Sequence, residues 1–152
     1  MDNNRAPDDK DVLQKSFKII RFFVQKRGTP EFDEHKAAIL AELLNNIKTL
    51  ADKKSPSLSK LATDPVFSIL RWFLMDRDKN IRQNIIKIFR LLMECPEALQ
   101  LLKTKHIYIF LARALERESK QDIFNENIQI LKLLRKWIET DSKSFPKLLA
   151  NT

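Results

Sequence analysis

Few side chains in this sequence could do chemistry, and their spacing limits what that chemistry can be. The two histidines, His35 and His106, fall in separate segments, and with one cysteine, Cys95, they make no Cys/His cluster at metal-ligand spacing. Cys95 precedes Pro96 with no histidine beside it in sequence to take its proton, which fits a packed thiol better than a nucleophile. Glu116, Glu118 and Asp122 gather in one charged turn interleaved with Arg117 and Lys120. General acid–base work needs desolvated carboxylates, and this setting keeps them in water. The chain has a single glycine, Gly28, so no Gly-rich phosphate loop can form, and no nucleophile elbow is present. The expectation is a protein that is not an enzyme, with no cofactor and no metal.

What remains is recognition by charge. Residues 85–94 read IIKIFRLLME, and residues 130–139 read ILKLLRKWIE, so one phrase recurs after 45 positions. Each copy has lysine third (Lys87, Lys132), arginine sixth (Arg90, Arg135) and glutamate last (Glu94, Glu139). Residues three apart share a helix face, so Lys87 with Arg90, and Lys132 with Arg135 and Lys136, form candidate rungs of a basic ladder suited to an acidic or helical peptide. The plainer reading is a solvated face. The alternative function is a basic helical-repeat nucleic-acid-binding module, with the ladder on phosphates. Against it, the net charge of +8 is spread along the chain instead of gathered in a stripe. Ten phenylalanines, Trp72 and Trp137 fall at core spacing, not alternating with basic residues as a base-stacking surface would.

The elements that must hold these residues are all helical, because a chain with one glycine has little scope for tight hairpins. Residues 1–10 are expected to be disordered. Apolar spacing predicts a helix over 11–27, stopped by the RGTP segment, and a second over about 33–52, the two forming a hairpin. Residues 53–64 read as a linker with a short helical turn, and Ser55-Pro56 as a turn that could also be a modification site. Asp64-Pro65 is the expected N-cap and first residue of a buried apolar helix, VFSILRWFLM. A long amphipathic helix carries residues 85–94. PEALQLLKTK, an apolar helix opened by His106, and a second long helix ending near Thr140 then follow.

This order repeats: a short helix opened by proline (Pro56, Pro96), an apolar middle helix, a charged turn and a long amphipathic helix, over some 40–45 residues. Leu40, Leu43, Leu44 and Ile47 match Ile85, Ile88, Phe89 and Leu92, so the second helix reads as the end of an earlier, degenerate unit. Pro146 and Leu149 match Pro96 and Leu99, as if a further unit begins there. One such unit cannot bury its own apolar face, so units must stack. The expected fold is all-α: an armadillo/HEAT-type helical repeat, or α-solenoid, in a single domain over 11–152 with repeats over 65–152, about two full units and partial units at both ends. An array halting within a unit reads as a piece of something longer. The longest purely apolar run, Ile107–Ala112, is too short to span a bilayer, and the polar start lacks a signal-peptide core. With one cysteine, a cytoplasmic protein is expected.

Within this scheme residues 96–139 resemble the N-terminal helical-repeat region of the Rictor/pianissimo family, the scaffold subunit of TOR complex 2. The matching features are RALERESK (Arg113 to Lys120) and the QILKLLRKWIE segment with Gln129, Lys132, Arg135, Lys136 and Glu139. The resemblance is best over 65–140. It implies a non-catalytic scaffold in TOR signalling, with TOR kinase and the other TOR complex 2 subunits as partners, and a role in directing phosphorylation of AGC-class kinases.

Overall fold

The computed structural model describes residues 8–115 and 124–141, and among these the regular structure is entirely helical. Helix α1 spans Asp9–Lys26, two residues earlier than expected, because the Asp8 carboxylate accepts from the Lys10 amide and caps it. Gly28 then takes φ 83°, which turns the chain out of α1. Pro30, read from sequence as a stop, is the first residue of α2 (Pro30–Asp52). Thr29 caps that helix through its Oγ1, which accepts from the Phe32 amide at 3.2 Å.

The linker-like segment is packed. Pro56–Leu61 form a 3-10 helix that buries Leu58 and Leu61, and the nearly buried Ser55 caps it by accepting from the Ser57 amide. Helix α3 (Asp64–Arg71) is capped at Thr63, not Asp64. Asp64 is its first helical residue, paired instead with Lys105 at 2.8 Å. The apolar helix expected through residue 75 tightens into a 3-10 turn, Trp72–Met75, where Trp72 is half-buried and Met75 exposed. Helices α4 (Lys79–Leu92), α5 (Pro96–Thr104), α6 (Ile107–Leu115) and α7 (Phe124–Thr140) follow. His106 lies outside α6: it is exposed at φ 57°, and its carbonyl accepts from the Ile109 amide. It thus caps the helix through its backbone. The expected further unit at Pro146, and the charged turn with Glu116, Glu118 and Asp122, lie outside the described residues.

The order of short helix, middle helix and long helix therefore occurs twice, and the fold is an all-α helical repeat. The long helices make its spine, with α4 packed against both α2 and α7. The 45-residue register holds in their core. Leu40, Ile85 and Ile130 are fully buried, as are Leu43, Ile88 and Leu133, and Ile47, Leu92 and Trp137 form a third nearly or fully buried set. Phe67 on α3 meets Phe89 on α4 at 5.3 Å, and Tyr108 on α6 meets Trp137 on α7 edge-on at 6.2 Å, so each middle helix packs an aromatic side chain on its own long helix.

Candidate protein-interaction surface

The stripe of α4 that faces α7 runs through Arg82, Ile86, Arg90 and Met93 at helical spacing, with Glu94 at its end. Arg82 is the anchor. Its Nε and Nη2 donate to the two carboxylate oxygens of Glu126 at 2.6 and 2.9 Å, and both residues are buried. Its Nη1 donates to the Asp76 and Arg77 carbonyls, so the same guanidinium closes the turn before α4. Bonding to Glu126 holds the guanidinium in its charged form more firmly than usual, against the opposing effect of burial. A buried, bidentate pair whose Nη1 is also bonded ties the two helices together, and losing one partner leaves an uncompensated charge.

The five basic residues singled out from sequence do not form one ladder. Arg90 is half-buried, its Nη1 donates to Gln129 Oε1 at 2.9 Å, and burial pushes its pKa down. Lys136 reaches back from α7 to the Arg90 carbonyl at 3.1 Å and to Glu94 at 2.6 Å. These two residues join α4 to α7. Lys87 is half-buried, and only Lys132 and Arg135 are fully exposed, Arg135 being paired with Glu139 at 3.0 Å within α7. The basic surface that is left is a two-residue patch on α7.

Beside that patch lies a feature that the charge pattern did not reveal. Shifting the α7-facing stripe of α4 by 45 positions gives Asn127, Leu131, Arg135 and Ile138 on α7. Ile86 and Met93 are buried, whereas their counterparts Leu131 and Ile138 are 56% and 45% exposed. The positions by which the preceding long helix receives its neighbour are thus aliphatic and uncovered on α7. The sequence signal was present in the register, since Leu131 and Ile138 stand 45 positions after Ile86 and Met93. The Arg82–Glu126 pair was missed for a different reason: its partners lie 44 residues apart and only the stacking of repeats brings them together.

Other reactive groups are placed as structure. Cys95 is buried at the start of α5, and burial, with Glu97 and Glu94 nearby, pushes its thiol up to about 11, so it stays protonated at neutral pH. Among the described residues no group of three or more His, Cys, Asp or Glu could hold a metal ion, and no helix is long and apolar enough to cross a membrane.

The fold is that of a helical-repeat module of the α-solenoid class. The chain belongs to the family of the N-terminal region of rapamycin-insensitive companion of mTOR, whose family model matches residues 41–152. That is the Rictor-like scaffold region of TOR complex 2. The match begins inside α2 and extends further than the resemblance legible at 65–140, leaving α1 outside it. No curated protein and no solved structure matches the chain significantly.

Proposed function

We propose that the chain is a non-catalytic, cytoplasmic scaffold segment in TOR complex 2 signalling, and that it receives a partner helix on the outer stripe of α7. The observation that carries this reading is the exposure of Leu131 and Ile138 at the positions where α4 carries buried Ile86 and Met93. The partner's chemistry follows from what α7 exposes: Leu131 and Ile138 call for an aliphatic stripe, and Lys132 and Arg135 beside them for acidic side chains. TOR kinase and its companion subunits are the proposed source of that helix, as the family supports.

Affinity capture from cell lysate on the purified chain tests it, with Lys132→Glu/Arg135→Glu as the matched variant. Arg90 is unsuitable for charge reversal because it bonds α4 to α7. Recovery of TOR complex 2 subunits by the wild-type chain, reduced in the variant, is the expected result. Recovery of none of them by a chain with native helical content contradicts the reading.

A further inference from the structure

Apart from α7, a groove of about 700 Å³ opens where the end of α1, the start of α2, the α3 end with its 3-10 turn, and α6 converge. Its apolar lining comes from Phe32, Trp72, Phe73, Met75 and Phe110. Met75 is 72% exposed, a large apolar side chain held in water at the rim. The charges around this lining are unevenly matched. Both carboxylates are already engaged: Asp76 takes Lys36 at 2.8 Å and the Asp78 amide at 2.9 Å, and Asp33 lies 3.6 Å from the same lysine. Arg71 donates to the Lys105 carbonyl at 2.8 Å. The guanidiniums of Arg27 and Arg77 remain, neither with an ion pair or side-chain hydrogen bond among the described residues. Arg27 lies over Trp72, its central carbon 3.8 Å from the ring centroid.

Stacking on an indole orders an arginine without consuming its in-plane donors, which stay available for a carboxylate. We propose that this groove binds an acidic peptide segment carrying one large apolar residue. The apolar side chain lies against Met75, Phe73 and Phe110, and flanking carboxylates pair with Arg27 and Arg77. The four basic and two acidic lining residues leave a net charge of two positive units, which complements such a segment. Nucleic acid fits less well. The Trp72 face over which a base would stack is occupied by Arg27, and Asp33 and Asp76 would face the phosphates.

The proposal is tested on the full chain by fluorescence anisotropy, with a labelled synthetic peptide in which a phenylalanine is flanked on both sides by glutamates. Trp137 is fully buried, so a change in tryptophan emission on binding reports Trp72. Saturable binding is expected. Arg27→Glu/Arg77→Glu, at unchanged helical content, should weaken it by about tenfold or more. Met75→Ala, or replacement of the peptide's phenylalanine by alanine, should weaken it by a few fold, roughly the effect of losing one apolar contact. No binding at low salt, binding indifferent to the two arginines, or binding indifferent to the phenylalanine overturns the proposal. So does an oligothymidylate that binds the wild-type chain more tightly than the peptide and shows the same dependence on Arg27 and Arg77.

Discussion

α2 and α7 both pack on α4, and each turns one stripe away from the stack. On α2 the positions equivalent to Arg82, Ile86, Arg90 and Met93 are Ala37, Ala41, Asn45 and Lys48, all exposed, small or polar. On α7 they are Asn127, Leu131, Arg135 and Ile138, and the two aliphatic ones are exposed as well. Since α2 leaves that stripe in solvent while α4 covers its own with α7, α2 does not sit on α4 as α4 sits on α7. Its buried positions Leu40, Leu43 and Ile47 lie on another side of the helix. A helix stripe that faces water is expected to be polar, and α2 meets that condition. The α7 side does not. The repeated core letters thus define the unit, and the letters beside them decide whether an open stripe is polar, as on α2, or aliphatic, as on α7.

The largest expected effect comes from breaking the α4–α7 pair. Glu126→Ala strands the Arg82 guanidinium in a buried site and should cost about 3–5 kcal/mol in urea unfolding. A loss under about 1 kcal/mol would mean that the pair does not hold α7 in register. The next contrast uses one truncation at matched positions. Ile86→Ala should cost about 2–5 kcal/mol, because it opens a cavity between α4 and α7. Leu131→Ala should stay within about 0.5 kcal/mol, because it removes surface already in water. Equal costs would erase the distinction between a covered and an open stripe.

Smaller again is the contrast between the two arginines of the repeated phrase. Arg90→Ala loses its bond to Gln129 and its packing, about 1 kcal/mol, whereas Arg135→Ala removes an exposed pair within α7 and should cost less than about 0.5 kcal/mol. Cys95 gives a last, fine probe of whether the stack stays closed. Its thiol is protonated up to about 11 when folded, whereas an unfolded cysteine ionises from 9.0. Its contribution to stability is therefore intact below 9.0 and is lost as pH rises toward 11, a slope that should vanish in Cys95→Ala. At neutral pH its labelling by a thiol reagent should speed up in Glu126→Ala and stay unchanged in Leu131→Ala.

How much of this was legible from the sequence follows from how local each cause is. The helical repeat and its core positions were readable, since a strict 45-residue register of Leu40, Ile85 and Ile130 and their neighbours leaves little choice about which side is buried. Helix starts were less so. Pro30 read as a stop, although a proline fits the first turn of a helix as well as it ends one, and Thr29 decides between these by capping. Asp64 is preceded by Thr63, and the helix takes the earlier residue as its boundary. The basic ladder is divided because a helix face that looks solvated in one dimension becomes an interface when the next long helix lies on it. Arg90 and Lys136 are used there, and Lys132 and Arg135 are not. Arg27 on Trp72 could not be read from sequence at all, because the contact depends on where the 3-10 turn after α3 meets the end of α1.

A paired capture experiment separates the proposed docking stripe of α7 from the polar stripe of α2. Ala37→Asp/Ala41→Asp and Leu131→Asp/Ile138→Asp each put two carboxylates on an exposed stripe, and both variants should unfold at the same urea concentration as the wild type. The α2 variant should recover TOR complex 2 subunits as the wild-type chain does, and the α7 variant should not. Equal recovery by the two variants would contradict the proposed docking on α7.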